Sequence, residues 1–530
     1  MNRMALGQVV ASLRARMAVE AGEIPDLPVR GVAFDSRRVA PGDIFVAVRG
    51  FRDDGHRYCR HAAARGAAAI VAEMPAPAGM FRPWLRVSDS RRALAHLAAA
   101  FFGHPSTRLK VIGITGTNGK TTTACLLQSV LNAAGRKSGL LGTLVVDTGR
   151  RCAPARLTTP EAPEIQGLFQ EMCAAGLRHV VMEVSAHGTV LHRITDIDFD
   201  VGAVLNVDLD HSDFTPRFED YVRAKQAFIQ MVKPGRPVLL NVDDPTVARF
   251  VCVRPDAVTV SVDGAADVTA TGVRTENGVT KFLVRVRRPL EGRTMTVTPG
   301  EFRVCTALPG RHNVYNVAVA FTAALLTGVE PEAAARAVSG FKGVSRRFEF
   351  LGRGEITVLD DTAMNPASID AVFAAVSGLP FKKVVVVNAI RGNRGPVING
   401  HNAAALARWV RLLGRAELIT TSSVSHAGPN DRVGPAEEAA FLNGLRRGGV
   451  CFRHHAELDA AVAEAVGRVT PGDLLLLLGA QGMDEGGALA VEMLGTRGIT
   501  LSPGENGAGH HSAVPVIVHE HRRHGADPAD

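Results

Sequence analysis

The most informative part of the chain reads Thr115-Gly116-Thr117-Asn118-Gly119-Lys120-Thr121-Thr122. It follows the apolar run 109–114 and leads into a helical pattern, which indicates a strand, a glycine-rich turn and a helix. In such a turn the backbone N–H groups and the helix N-terminus can point at phosphate oxygens. The alternative is an ordinary glycine-containing turn. The order of strand, glycine-rich loop, Gly-Lys-Thr and helix disfavours it. The stretch therefore predicts a phosphate-binding loop.

Two side chains of this loop have the chemistry that ATP and Mg²⁺ require. Lys120 can supply a positive charge to the β- and γ-phosphates, and the Thr121 hydroxyl can ligate Mg²⁺. Ile114 stands where the general phosphate-binding motif has its first glycine, so this loop is a narrower variant. The residues predicted to bind the nucleotide here are Gly116, Thr117, Asn118, Gly119, Lys120, Thr121 and Thr122.

The length and patterning of the chain predict an α/β protein of three domains. At 530 residues it is too long for one hydrophobic core. Alternating strand and helix patterns indicate a central P-loop domain with a parallel sheet at 108–343. A small N-terminal α/β domain at 1–107 and a C-terminal Rossmann-like α/β domain at 344–502 flank it. Residues 258–298 suggest an antiparallel addition to the central sheet, and 503–530 a flexible tail.

Composition excludes several classes of protein. No apolar stretch approaches the roughly 20 residues that cross a bilayer, and the N-terminus lacks a secretory pattern. Seven cysteines stand singly with no CxxC pair, which favours reduced thiols over disulfides or a zinc site. The net charge of +8 is spread along the chain, with few aromatic residues among the basic ones. We expect a cytoplasmic monomer whose partners are anionic small molecules rather than nucleic acid or membrane.

Several separate stretches resemble the Mur ligases, the ATP-dependent amide-forming enzymes that build the peptide of peptidoglycan. The phosphate-binding loop has the family's TGTNGKT form. Leu157-Thr158-Thr159-Pro160 resembles the loop that contacts the muramoyl substrate. Glu183-Val184-Ser185, with His187, His192 and Arg193, resembles the EVSSH...HR segment. Asp35-Ser36-Arg37 and the stretches 41–47 and 54–56 resemble the uridine-binding domain of the ligase that adds the third residue.

The resemblance implies a set of catalytic and metal-binding residues. Glu183 ends an apolar strand beside the P-loop strand, where a carboxylate can hold Mg²⁺; the alternative is a solvated strand end. His211 resembles the family histidine that ligates a second Mg²⁺, although a lone loop histidine is more often structural. Lys225 stands where the family carries a lysine carbamylated by CO₂, and without the resemblance it would be a solvated helix lysine. The implied catalytic residues are Lys120, Glu183, His211 and Lys225, and the implied metal ligands Thr121, Glu183, His211 and Lys225.

The resemblance also implies residues that bind the nucleotide and the substrate. Asn313 lies in the stretch 309–316, which is similar to the family's segment near the adenine, except that His312 replaces a phenylalanine and base stacking is expected to differ. Arg347 and Glu349 resemble the family's GRME at the hinge to the last domain; a surface ion pair is the alternative. The implied substrate-binding residues are Ser36, Thr158, Thr159, Ser185, Arg193 and Asp361.

The C-terminal domain departs from the ligases that add the third residue. The stretch Asp360-Asp361-Thr362-Ala363-Met364-Asn365-Pro366 replaces their DYAHTP, and the stretches 388–395 and 479–484 replace their GDRDxxKR and Gly-Lys-Gly-His-Glu segments. The DNPR motif that holds diaminopimelate is replaced by the segment Thr421-Ser422-Ser423-Val424-Ser425-His426. The reaction class is therefore better defined than the amine.

These observations favour an ATP-dependent, ADP-forming carboxylate–amine ligase that works through an acyl phosphate and adds an amino acid to a UDP-N-acetylmuramoyl-peptide-like substrate. One alternative is a ligase of the same architecture that acts on a carboxylate metabolite or cofactor precursor outside the cell wall. Another is a catalytically dead nucleotide-binding scaffold, which the implied second metal site argues against.

Overall fold

The computed structural model describes residues 4–50, 53–80, 82–208, 217–276, 278–292 and 295–503. His211 and the tail from 504 lie outside the described residues. The described chain forms three units, each with its own sheet and core.

The N-terminal unit has a five-stranded sheet in which β4 to β7 run parallel and β2 joins antiparallel at one edge. Its core forms between this sheet and the apolar faces of α1 and α3. Its elements are β1 (Met4–Ala5), α1 (Leu6–Arg14), β2 (Val19–Ala21), β3 (Pro28–Val29), β4 (Gly31–Ala33), β5 (Asp43–Val46), α2 (Cys59–Ala64), β6 (Ala69–Ala72), β7 (Trp84–Val87) and α3 (Ser90–Phe101).

The central unit contains an 11-stranded sheet. Its elements are β8 (Lys110–Thr115), α4 (Lys120–Ala133), β9 (Ser138–Leu141), β10 (Val145–Asp147), β11 (Cys152–Pro154), α5 (Ala162–Ala174), β12 (His179–Glu183), α6 (Ala186–Val190), β13 (Phe199–Val204), α7 (Phe218–Met231), β14 (Val238–Asn241), α8 (Pro245–Ala248), β15 (Val258–Val262), β16 (Val268–Glu276), β17 (Val279–Val286), β18 (Leu290–Glu291), β19 (Thr296–Val297), β20 (Gly300–Thr306), α9 (Arg311–Leu326) and α10 (Pro331–Gly340).

The order of this sheet is β11-β10-β9-β12-β8-β13-β14-β15-β16-β17-β20, and the strands from β9 to β16 are parallel. The expected antiparallel addition is therefore wrong for β15, which runs parallel because α8 returns the chain after β14. Antiparallel pairing on this side begins between β16 and β17 and extends to β20.

Side chains that alternate along the buried strands serve two cores. Ile112 of β8 packs with α4 and α9, whereas its neighbour Val111 packs on the opposite face with α5 and α7. At Gly113 a Cβ atom would lie 2.7 Å from the ring of Phe199 and 2.8 Å from that of Phe228, so only glycine allows this close packing. Helices on both faces bury the central strand and hold its carboxyl end, where the phosphate-binding loop begins.

The C-terminal unit has a seven-stranded sheet of order β25-β24-β23-β26-β22-β21-β27, parallel from β25 to β22. Its elements are β21 (Glu349–Gly354), β22 (Thr357–Asp361), α11 (Pro366–Ser377), β23 (Val384–Ala389), α12 (Pro396–Leu413), β24 (Ala416–Thr421), α13 (Pro435–Arg447), β25 (Phe452–His455), α14 (Leu458–Arg468), β26 (Leu474–Leu478), α15 (Gly486–Thr496) and β27 (Leu501–Pro503). The final strand, β27, pairs with β21 and reaches the first residue of the expected tail.

Candidate active site

The phosphate-binding loop joins the end of β8 to the start of α4 and is held by the end of β13. Thr117 N–H donates to the Asn206 carbonyl at 3.0 Å, and Asn118 N–H donates to Asn206 Oδ1 at 2.8 Å. Asn206 Nδ2 donates back to the Asn118 carbonyl at 3.1 Å. Gly119 has φ +86° and lies against Asn316, so a side chain there would be strained and would clash. These contacts fix the loop in one shape.

The two chemical side chains of the loop occupy its inner surface and the start of α4. Lys120 Nζ donates to the carbonyls of Gly116 at 2.8 Å and Thr117 at 3.0 Å, which folds the side chain over the loop. Thr121 and Thr122 are buried in the first turn of α4. The ammonium group thus lies where the loop could offer it to phosphate oxygens.

Glu183 is the centre of a hydrogen-bonded cluster beside this loop. Strand β12 pairs with β8 so that Glu183 lies opposite Ile114, as the sequence predicts. The carboxylate accepts from Thr121 Oγ1 at 3.0 Å, from Thr143 N at 2.7 Å and from Thr143 Oγ1 at 2.9 Å. It is 1% exposed, so the alternative of a solvated strand end is wrong. Sequence reasoning missed Thr143, whose one signal is its place just after a strand that neighbours β12.

Four of the residues implied in substrate binding connect to the same cluster. Thr158 Oγ1 lies 3.1 Å from Thr143 Oγ1, within hydrogen-bond distance, and Thr159 Oγ1 donates to the Glu183 carbonyl at 2.9 Å. Ser185 N–H donates to Thr159 Oγ1 at 3.0 Å, and Arg193 donates to the Thr159 carbonyl at 3.0 Å. The structure thus brings the loop that contains Thr158 and Thr159 next to the Glu183 carboxylate, which adjoins the phosphate-binding loop.

Lys225, on α7, is buried rather than solvated. It is 1% exposed, its Nζ lies 4.5 Å from the centroid of the Tyr221 ring, and it is 3.5 Å from Thr115 Oγ1 at the end of β8. The solvated-lysine interpretation is therefore wrong, because α7 packs this face against the central sheet. Burying an ammonium group is costly unless a partner or a modification offsets its charge.

Asn313 and His312 lie at the start of α9, near the phosphate-binding loop. Asn313 accepts from Asn316 Nδ2 at 2.9 Å and donates to the Pro309 carbonyl at 2.7 Å. Asn316 in turn lies against Gly119. Burial lowers the pKa of His312 to about 4, so its ring is neutral at pH 7. A neutral imidazole keeps an aromatic face, and with it the ability to stack.

The hinge to the C-terminal unit places arginines against buried carboxylates. Burial lowers the pKa of Arg347, and the charges of Asp361 and Glu183 act in the opposite direction. Asp361 accepts from Phe348 N at 2.7 Å, and burial raises the pKa of Asp361 to about 6. Glu349 accepts from Ser345 Oγ and from the Arg346 N–H, so the alternative of a surface ion pair between Arg347 and Glu349 does not describe this hinge.

Ser36 lies apart from this cluster, in the N-terminal unit. It is buried in a short 3₁₀ turn, Ser36–Arg38, with its Oγ 3.2 Å from His61 Nδ1. Among the described residues, Ser36 forms no direct hydrogen bond with the Glu183 cluster.

The Thr421–His426 segment directs its polar groups into the C-terminal unit. Ser422 Oγ donates to Glu438 at 2.6 Å, Ser425 N–H donates to Glu457 at 3.1 Å, and His426 Nε2 lies 3.2 Å from Glu485. The segment contains no arginine or lysine. It therefore carries no permanent cation that could pair with a carboxylate of an acceptor amine.

Three regions of the chain match Mur ligase families. Residues 28–102 match the Mur ligase family catalytic domain, 114–324 the Mur ligase middle domain, and 346–481 the Mur ligase glutamate ligase domain. The chain is 32% identical over 483 residues to a UDP-N-acetylmuramoyl-L-alanyl-D-glutamate–2,6-diaminopimelate ligase of Solibacter usitatus, which covers 90% of this chain and 93% of the relative. It is 34% identical over 480 residues to a UDP-N-acetylmuramyl-tripeptide synthetase of a Roseiflexus species, covering 85% and 89%.

Solved structures share the fold. A MurF structure from Acinetobacter baumannii has a TM-score of 0.65 at 21% identity, covering 93% of this chain and 99% of that one. A MurF ligase from Thermotoga maritima in complex with ADP has a TM-score of 0.62 at 22% identity, covering 88% and 97%. The phosphate-binding loop, the Glu183 cluster beside it and these matches together define the class of ATP-dependent amide-forming ligases. The chain belongs to the Mur ligase family.

In the described part of the chain, no helix combines the length and apolar character needed to span a membrane.

Proposed function

We propose that this protein is an ADP-forming ligase that adds an amino acid to a UDP-N-acetylmuramoyl-peptide-like substrate through an acyl phosphate. The observation that carries the proposal is the continuous hydrogen-bonded path from Thr121 through Glu183 and Thr143 to Thr158. It joins the nucleotide side of the site to the loop implied in binding the carboxylate substrate.

In the proposed reaction, the substrate carboxylate attacks the γ-phosphorus of ATP, and ADP leaves. The amine then attacks the acyl carbon and displaces phosphate, which forms the amide. The carboxylate is ionised at neutral pH, so the site has to position it rather than activate it. Lys120 places its charge on the transferring phosphoryl group, where such enzymes concentrate their stabilisation.

The residues of the cluster fit Mg²⁺. Glu183 and Thr121 offer carboxylate and hydroxyl oxygens, the ligands that this ion prefers. An unmodified Lys225 does not fit, since an ammonium group cannot ligate a cation, but a carbamate on its Nζ would be an anionic oxygen ligand and would remove the buried positive charge. A bound Mg²⁺ would supply charge neutralisation to the phosphates.

Further features complete the proposal. We place the domains at 1–107, 108–343 and 344–502, with 503–530 as a tail, and the enzyme in the cytoplasm as a monomer. His211 is proposed as a further metal ligand, and Ser36 as a contact of the uridine end.

A second candidate is a ligase of the same mechanism that acts on a carboxylate metabolite or cofactor precursor outside the cell wall. The Thr421–His426 segment favours it, because its polar groups bind neighbouring side chains instead of facing a charged amine.

One screen tests both candidates. ADP and phosphate release would be measured with UDP-N-acetylmuramoyl-dipeptide and a panel of amino acids, with each component omitted in turn. We expect release that depends on both the UDP-linked acceptor and an amine. Release with other carboxylates, and none with UDP-linked acceptors, would favour the second candidate.

A further inference from the structure

The phosphate-binding loop touches the C-terminal unit through a reciprocal pair of side-chain amides. Asn118 Nδ2 donates to Asn365 Oδ1 at 3.2 Å, and Asn365 Nδ2 donates to Asn118 Oδ1 at 3.0 Å. Asn365 is fully buried and lies 247 residues further along the chain. The contact therefore joins the nucleotide loop of one unit to the start of α11 in another.

The orientation of the Asn365 amide is determined by its own helix. Asn365 is the N-cap of α11, and its Oδ1 accepts from Ser368 N at 2.9 Å. The oxygen must face this donor, so the Nδ2 group is left to face Asn118. That arrangement also fixes which atom of Asn118 accepts and which donates.

The segment that carries Asn365 is rigidly held within the C-terminal unit. Ser368 Oγ accepts from Met364 N at 2.9 Å and from Asn365 N at 3.0 Å. The Met364 carbonyl accepts from Arg391 and from Asn402, each at 3.1 Å. Asn365 thus presents a preorganised amide, rather than a mobile one, to the phosphate-binding loop.

Asn118 is held from two sides by these contacts. Asn206 of the central unit binds its backbone N–H and carbonyl, and Asn365 binds its side chain. Asn118 lies directly before Gly119 and Lys120. A shift of its side chain would therefore also move the residues of the loop that we propose bind phosphate.

We propose that Asn365 is a positioning residue for nucleotide binding. From the C-terminal unit, it holds the side chain of Asn118 in the phosphate-binding loop. Nucleotide binding and docking of the C-terminal unit are then linked, and each strengthens the other by the same factor. This inference rests on the proposed nucleotide site. It adds Asn365, which contacts the phosphate-binding loop rather than the phosphates themselves.

The test measures the affinity of Mg²⁺–ADP by calorimetry, which needs neither the amine nor the carboxylate substrate. Asn365→Ser keeps a good N-cap residue but is too short to reach Asn118. We expect ADP affinity to fall roughly 5- to 30-fold, the worth of one to two neutral hydrogen bonds. The control is Ser377→Ala at the exposed end of the same helix, which leaves the amide pair and its supports in place and should stay within about twofold of wild type.

Two further measurements separate positioning from a general loss of structure. If the pair is the interaction, then adding Asn365→Ser to Asn118→Ala should cause no further loss of ADP affinity. In wild type, ADP should also slow amide exchange in the first turn of α11, and in Asn365→Ser it should not. Should the serine variant fold poorly, Asn365→Asp keeps the cap but cannot donate to Asn118, and weaker ADP binding at a normal melting temperature is expected.

The outcomes distinguish two kinds of failure. ADP that does not bind wild type would remove the proposed function, and this inference with it. ADP that binds wild type and Asn365→Ser equally, or losses that add in the double variant, would remove this inference alone.

Discussion

The proposed nucleotide site of the central unit and the Thr421–His426 segment of the C-terminal unit both lie at the carboxyl ends of parallel strands, yet they differ in what their side chains bind. At the first, the Thr115–Thr122 loop meets Glu183 through direct hydrogen bonds. At the second, the Thr421–His426 segment binds Glu438, Glu457 and Glu485 of its own unit. Loops at strand ends do not form the hydrophobic core, so their residues can change without loss of the fold. The phosphate-binding loop can therefore have the family's residues while the Thr421–His426 segment has different ones.

The largest expected effect tests the nucleotide side. Lys120→Ala should lower phosphate release by roughly 100- to 1,000-fold, because a charge on the transferring phosphoryl group is lost. The melting temperature should change little, since no core contact is removed. Lys137→Ala, an exposed lysine beyond the end of α4, is the matched control and should be fully active. Normal turnover by Lys120→Ala would mean that the loop does not serve catalysis.

The second prediction tests the proposed carbamate on Lys225. Lys225→Ala should be roughly 100-fold less active or worse, and added short carboxylates should restore part of the activity, since they can supply the missing oxygen ligand. Lys225→Arg should not be rescued, because it retains a cation. Phosphate release with and without acetate or formate measures both. An alanine variant with full activity would show that this lysine has no part in the reaction.

The third prediction addresses the acceptor face. Leaving one charge of a buried ion pair without its partner costs roughly 2 to 5 kcal/mol, so diaminopimelate should have a kcat/KM at least about 30-fold below that of lysine. Lysine is the control amine, since it lacks only the distal carboxylate. Steady-state kinetics at saturating ATP compare the two. Selective use of diaminopimelate would mean that an arginine of a neighbouring loop, Arg391, Arg394 or Arg432, supplies the missing cation.

The fourth prediction uses carboxyls whose pKa values shift in opposite directions. Burial raises the pKa of Asp361 to about 6, so the folded protein binds a proton between pH 6 and 4 that the unfolded chain does not. Wild type should therefore gain about 1 kcal/mol relative to Asp361→Asn between pH 7 and 5, measured by unfolding at each pH. An unchanged difference would show that this carboxyl titrates normally.

Glu437 provides the contrast. Burial acts to raise its pKa, but backbone N–H donors from Gly434, Arg394, Gly395 and Asn393 outweigh this and lower it. Its stabilisation should be present above its ordinary pKa of 4.5 and lost as the pH falls further. Relative to Glu437→Gln, wild type should hold its advantage between pH 7 and 5 and lose it below.

The smallest effect is expected from the tail. Deleting 505–530, with His510, His511, His519, His521 and His524, should leave ligase activity unchanged, because the segment follows the last strand that the structure describes and has little apolar content. Deleting 501–530 is the comparison, and it should destabilise the C-terminal unit because it removes β27. Lost activity in the shorter deletion would assign the histidines a role.

Much of the nucleotide site could be predicted because its residues are local in sequence. The loop, the lysine and the helix that follows form one contiguous motif. Glu183 could be placed beside it from the family resemblance and from its position at the end of an apolar strand. The domain bounds and the catalytic roles stay predictions. Thr143, Asn206 and Asn365 could not be found, since a threonine after a strand or an asparagine at a helix start is ordinary until its partner is known.

The amino-acid sequence by itself determined the α/β class, the phosphate-binding loop and the membership of a ligase family, because strand and helix periodicity and a short glycine-rich motif act over a few residues. Only the tertiary structure decided that Lys225 is buried, that Thr143 completes the Glu183 cluster, and that Asn365 meets Asn118. Burial and hydrogen bonding between distant segments depend on how sheets and helices pack, and no local pattern carries that information.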